Sequence, residues 1–160
     1  MILDPQLIAQ LRQIEPSRDD GIAYYPCRAQ LHDGTHVDRV SVVDQAQFER
    51  LWGVGPERPT LAPSKLVSLQ EAPMRLPKRF ADQLYRAGES GMGYCIFTVR
   101  FQNGVSQAYS TGNVVDFPDF PPDLYPHDVI EVLPHQGRGE ATRGAAAHVW
   151  CPVRDLATAI

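Results

Sequence analysis

Two Asx-Gly pairs, Asp33-Gly34 and Asn103-Gly104, each sit between runs of alternating apolar and polar residues. They constrain what the chain can fold into more than any other feature. Asp-Gly and Asn-Gly tolerate the positive φ angles of tight hairpin turns, so each pair predicts two antiparallel strands meeting there. In "YYPCRAQLHDGTHVDRVSVV" a two-residue turn puts Tyr25, Cys27, Ala29 and Leu31 on one face with Val40 and Val42. In "YCIFTVRFQNGVSQAYST" it puts Cys95, Phe97, Val99 and Phe101 on one face opposite Ala108, with Ile96, Thr98 and Tyr109 on the other. That other face is not fully polar, so cover on both sides of the second hairpin is expected.

Three helices are predicted around these hairpins. Asp4 can cap the first, Pro5 suits its first turn, and Leu3 can staple onto Ile8. Leu7, Ile8, Leu11 and Ile14 then share a face, until Pro16 and "SRDDG" stop the helix. The second helix runs from a cap at Asp44 to Gly53, with Phe48, Leu51 and Trp52 as its apolar side. The third runs from Pro77 to Gly88, where glycine suits the residue past a helix end. "KLVSL", "VIEVL" and "AHVWCPV" read as short strands, whereas "GVGPERPTLAPS", "DFPDFPPDLYPHD" and "HQGRGEATRGAAA" read as loops. No repeat and no domain boundary is visible. The expectation is an α+β fold over 1–160 as a single globular domain: a mainly antiparallel sheet built from two β-hairpins plus further short strands, with about three helices packed on it.

Composition narrows the setting. No run of 18 apolar residues exists to span a membrane, and the N-terminus lacks a basic start and carries Asp4-Pro5 where a signal peptide needs its apolar core. A cytoplasmic, soluble protein is expected. Three cysteines at wide spacing (Cys27, Cys95, Cys151), without a CxxC pair, read as small buried thiols of a reducing compartment. Thirteen arginines against Lys65 and Lys78, with abundant Ala and Pro, match the coding bias of a GC-rich bacterial genome.

Charge is unevenly spread. Residues 101–137 contain no Lys or Arg but five acids, within a chain of net charge −4. Phosphate binding needs a basic face, so nucleic acid is not the expected partner; a basic protein is.

The motifs that carry chemistry are sparse. "GESGMG" at 88–93 follows a helix and precedes a strand, the reverse of a phosphate-cradling loop, and Met92 stands where a hydrolase elbow requires glycine. It reads as a structural corner with Glu89 and Ser90 as its reachable side chains. Cys27, His32 and His36, with His148 and Cys151, have zinc-ligand chemistry, but alternation along strands turns them to opposite faces, so no metal and no cofactor is assigned. No catalytic residue is assigned either.

The region that remains is 113–137, with five prolines to stiffen it and aromatics to supply rigid contact area. Its candidate binding residues are Asp116, Phe117, Asp119, Phe120, Asp123, Tyr125, His127, Asp128 and Glu131. The competing reading tucks Phe117 and Phe120 into the core and leaves the acids in water. The leading expectation is a small binding or inhibitor protein, in the manner of an immunity protein that neutralises a basic toxin. The alternatives are a small hydrolase or transferase with a pocket between the second hairpin and "GESGMG", and a homo-oligomeric sensing or structural subunit.

Overall fold

The computed structural model describes residues 3–53 and 58–160; the loop expected at 53–64 lies outside them over 54–57. The fold is α+β, with four helices and two mixed sheets of mostly antiparallel strands among the described residues. The chain divides into two compact units, residues 3–73 with 148–160 and residues 74–147.

The first unit opens with α1 (Pro5–Leu11), whose cap Asp4 accepts from the Gln6 amide at 2.7 Å. Its sheet comprises β1 (Ser17–Asp19), β2 (Ile22–Leu31), β3 (His36–Asp44), β4 (Leu66–Glu71) and β9 (Val149–Val153). Between β3 and β4 come α2 (Gln45–Trp52), capped by Asp44, and a 3-10 turn, Pro63–Lys65. The short α4 (Leu156–Ala159) follows β9. Leu7, Ile8 and Leu11 pack on the face formed by Tyr25, Cys27, Ala29, Val40 and Val42, which is the face the alternation predicts. The polar "SRDDG", read as a helix stop, also supplies β1, too short for a periodic signal.

The second unit contains α3 (Lys78–Ala87), β5 (Cys95–Phe101), β6 (Ser106–Thr111), a 3-10 turn (Pro126–Asp128), β7 (Val129–Pro134) and β8 (Thr142–Arg143). Ile96, Thr98, Phe97 and Val99 are all buried, so β5 is covered on both faces.

Both hairpins turn where expected, but by a longer loop. Leu31 N donates to Thr35 O and Gly34 N to Leu31 O; Phe101 N donates to Val105 O and Gly104 N to Phe101 O. With Gly34 at φ 86° and Gly104 at φ 87°, each is a turn followed by a glycine bulge, which adds one residue to a two-residue loop. In the first hairpin a second irregularity between Cys27 and Ala29 restores the expected pairing, Tyr25 with Val42. The second hairpin has none, so its register is one residue off expectation: Phe97 faces Tyr109 and Thr98 faces Ala108. Tyr109 therefore leaves its expected face and stacks on Phe97, centroids 5.3 Å apart.

The two units share one plan, a structural repeat that is not visible as a repeat in the sequence. In sheet order the first reads β4-β2-β3-β9 and the second β7-β5-β6-β8. In each, the first three chain segments pair antiparallel and the fourth joins parallel to the second hairpin strand. A helix packs on the strand that follows the 3-10 turn, α1 on β4 and α3 on β7. The matching extends to single bonds: His32 N to Lys65 O at 3.1 Å and Gln102 N to Asp128 O at 2.8 Å, Ala72 N to Pro26 O at 3.0 Å and His135 N to Ile96 O at 2.8 Å. Leu61-x-Pro63-x-x-Leu66-x-x-Leu69 is answered by Leu124-x-Pro126-x-x-Val129-x-x-Val132, buried at the same three positions, with a half-buried proline at the fourth.

Burial in these cores has a titration consequence. Desolvation pushes the Cys151 thiol up to about 12 from 9.0 and raises the Tyr109 and Tyr25 phenols. Above pH 9 the unfolded chain sheds these protons while the folded chain keeps them, so the unfolded state binds fewer and stability falls as pH rises towards 12. The slope reaches at most about 1.4 kcal/mol per pH unit per group. Urea midpoints measured from pH 8 to 11 are expected to fall steadily; a flat profile would contradict burial of the ionisable groups.

Candidate functional site

Beyond β6 the chain enters the stretch 113–128 through the core rather than over it. Val115, Asp116 and Phe117 are essentially inaccessible, Asp116 at 0 % exposure. A buried carboxylate needs partners, and Asp116 Oδ2 accepts from the Tyr85 hydroxyl at 2.5 Å. Tyr85 in turn accepts from Val115 N at 3.2 Å, and Leu76 N donates to the Asp116 carbonyl at 2.8 Å. Phe117 lies on a segment zipped to 144–146 through Ala146 N to Phe117 O and Asp119 N to Gly144 O. Phe120 packs edge-on to Phe101, centroids 6.1 Å apart.

These placements correct part of the expected surface. Asp116, Phe117 and Phe120 cannot meet a partner, because all three belong to the core. Two acids are matched by arginines from outside the arginine-free stretch. Arg143 Nη2 reaches Asp119 Oδ2 at 2.9 Å while its Nε donates to the Asp119 carbonyl at 2.7 Å. Arg100 Nη1 reaches Glu131 Oε2 at 3.1 Å across the β5–β7 pair. Asp128 is spent locally, its Oδ2 accepting from Tyr125 N at 2.9 Å.

Four of the nine are exposed: Asp119, held by Arg143, and Asp123, Tyr125 and His127. Asp123 adopts φ 65°, in the left-handed region that Asp tolerates better than most residues, and turns the chain after Pro121-Pro122. Tyr125 is 47 % exposed, and its ring lies nearly parallel to that of His127, at 6° and 5.7 Å between centroids. Pro126 lies between them, and the bond from Asp128 N to Tyr125 O holds the turn at 2.9 Å. Ile130, 52 % exposed, follows on β7.

The loop 88–93 is the corner that its glycines suggest. Gly88, at φ 78°, closes α3 by donating to Tyr85 O at 3.1 Å. A Cβ on Gly91 would lie 2.2 Å from the Tyr94 ring. The residue that sequence reasoning passed over here is His135, whose ring reaches Ser90. No local signal could show it, since the two are 45 positions apart.

Two clefts lie among the described residues of the first unit. One, of about 460 Å³, is bordered by Asp4, Gln6, His32 and Ser64; the other, of about 300 Å³, by Arg18, Tyr25, Asp44 and Gln47. In the second cleft the Asp44 carboxylate already accepts from the Gln47 and Ala157 amides, at 3.1 Å each. Among the described residues no group of three or more His, Cys, Asp or Glu is arranged to hold a metal ion, and no helix is long and apolar enough to cross a membrane. No protein-family model, curated protein or solved structure matches the chain, so its sites are read from their own geometry.

Proposed function

We propose that the chain is a binding protein that docks a basic protein partner on the ledge formed by Asp123, Tyr125 and His127, in the manner of an immunity protein masking a cationic toxin. One observation carries this reading. The first unit builds the same 3-10 corner with Ala62 and Ser64 where the second has Tyr125 and His127. The corner therefore folds without aromatic rings, and the exposed stacked pair is surplus to the fold. Stacked rings on a proline-fixed turn lose little entropy on contact, and large rigid aromatics dominate interface energetics. The charge also reverses between the two corners: Lys65 in the first unit corresponds to Asp128 in the second, and Asp123 adds a second acid.

Capture from a bacterial lysate at low salt, compared with the variant Asp123→Lys/Tyr125→Ala, tests this. A partner of basic isoelectric point is expected to be held by the wild type and lost by at least tenfold in the variant. Its association should slow as salt rises from 50 to about 500 mM, because screening removes steering. An acidic partner, or one retained equally by the variant, would refute the assignment.

A further inference from the structure

Ser90 and His135 form a pair that the corresponding corner of the first unit lacks. Ser90 Oγ lies 2.8 Å from His135 Nδ1, and His135 Nε2 lies 3.1 Å from the Ala87 carbonyl oxygen. A carbonyl can only accept, so the hydrogen-bond network assigns the ring proton to Nε2 and leaves the Nδ1 lone pair facing the serine. Ser90 Oγ itself accepts from Ile96 N at 2.7 Å. The other acceptor within its reach, Ile96 O, is more distant at 3.2 Å and also receives the His135 amide at 2.8 Å. The imidazole is thus the nearer acceptor for the hydroxyl proton, giving a nucleophile, a base and a group that orients the base.

The surroundings hold this arrangement in place. His135 has φ 65°, a left-handed conformation uncommon outside glycine and concentrated at functional sites. The next turn is pinned to the sheet: Thr98 Oγ1 donates to Gln136 O at 3.0 Å, and a Cβ on Gly137 would lie 2.8 Å from that of Ala108. Arg138 brings positive charge to the serine, with Nη2 3.2 Å from Ser90 O and Nη1 3.1 Å from the Tyr94 hydroxyl. Among the described residues no carboxylate forms an ion pair with Arg138. Met92, 99 % exposed at the loop tip, adds an apolar side chain two residues from Ser90.

The internal repeat argues against a purely structural role for the histidine. In the first unit Ala72 occupies the position of His135 and makes the same backbone bond, to Pro26 O at 3.0 Å. The corner closes there with a methyl group. Pro26 also lacks the amide that Ser90 satisfies at Ile96, so the serine has a structural task in the second unit. The backbone bond of this corner therefore does not depend on the imidazole, which adds a contact to the Ala87 carbonyl at the end of α3.

We propose that Ser90 is a nucleophile towards small carboxylic esters, with His135 as its base and Arg138 supplying positive charge beside the reacting oxygen. In the first step the Ser90 proton passes to His135 Nδ1 as Oγ bonds to the acyl carbon. The carbon–oxygen bond to the alcohol then breaks, and the alcohol leaves with the proton from Nδ1. Water, deprotonated by the same nitrogen, attacks the acyl-serine; the acyl–Oγ bond breaks, Nδ1 returns the proton to Oγ, and the acid is released with Ser90 and His135 restored. This activity goes beyond the binding proposed above and uses none of the same residues.

The test is covalent labelling of the full chain with a fluorophosphonate, in which Ser90 Oγ bonds to phosphorus and fluoride leaves. Intact mass and peptide mapping are expected to show one adduct, on Ser90, absent in Ser90→Ala. His135→Ala, which copies the arrangement at Ala72, should slow labelling about 100-fold or more with an unchanged circular dichroism spectrum. An unlabelled Ser90 in the wild type overturns the proposal whether or not the variants fold. So does equal labelling in a folded His135→Ala.

Discussion

Truncating Trp150 to alanine is expected to cost about 3–5 kcal/mol, among the largest losses available to any single substitution in the first unit. The indole is 5 % exposed and is the hub of an aromatic cluster, with Phe48 at 5.2 Å, Tyr24 at 5.9 Å and Trp52 at 6.0 Å between centroids. Alanine would leave a void that three rings cannot fill without moving, so lost transfer energy and lost packing add. The position is also structural in its backbone. Trp150 N donates to Pro59 O at 3.0 Å, and Leu61 N donates to Trp150 O at 2.7 Å. Those bonds help hold β9 beside β3, the parallel pairing that completes the sheet. Because domains are stable by only about 5–15 kcal/mol, the loss is a large share of the total. Urea unfolding followed by circular dichroism checks it, with Trp150→Phe as the control that keeps a ring. A loss below about 1 kcal/mol for Trp150→Ala would show that the cluster is not the anchor.

Much of the fold is legible in the residues because its signals are local. Asp4 and Asp44 cap the helices they precede, and the two Asx-Gly pairs turn the two hairpins. Register in the second hairpin was not legible. The bulge at Gly104 is a choice between two loop geometries that the same dipeptide supports, and one residue of difference moves every side chain across the sheet. The repeat escaped for another reason. The connection from Leu31 to Leu66 includes α2 and is seven residues longer than that from Phe101 to Val129, so no fixed period survives. The fourth strand of the first unit also comes only after the whole second unit, which separates β4 from β9 in sequence. What persists is a spacing of leucine, proline and valine that carries meaning once both corners are seen in space.

The candidate surface was legible only in part, because charge depletion along a chain is not charge depletion in space. Arg100 and Arg143 flank the arginine-free stretch in sequence and fold back onto Glu131 and Asp119. Phe117 and Phe120 could have faced either way, since proline-rich segments lack the periodicity that tells inside from outside. His135 was invisible for a related reason. A serine and a histidine acquire a joint chemistry only by contact, and that contact is made through the pairing of β5 with β7.

Asp116 and Asp123 are alike in type and seven positions apart in sequence, yet reversing their charges is expected to have opposite outcomes. Asp123→Lys places a cation on an exposed turn, where substitutions away from special contacts usually stay within about 0.5 kcal/mol. Asp116→Lys places an ammonium where there is no solvent access and where the Tyr85 hydroxyl points, 2.5 Å from the present carboxylate oxygen. Tyr85 loses its acceptor, and the new charge has neither water nor that hydrogen bond to stabilise it. The lysine cannot readily swing outward, because the backbone on both sides is fixed by Leu76 N to Asp116 O and Ala146 N to Phe117 O. Leaving a buried donor without its acceptor costs about 1–3 kcal/mol, and burying an unpaired charge adds several kcal/mol more. Asp116→Lys is therefore expected to yield a second unit that is largely unfolded or recovered in aggregates. Asp116→Asn keeps an acceptor for Tyr85 and should remain folded with a smaller loss. Melting curves of the three variants decide the matter: a cooperative transition for Asp116→Lys within a few degrees of wild type would mean that the carboxylate is reachable from solvent after all.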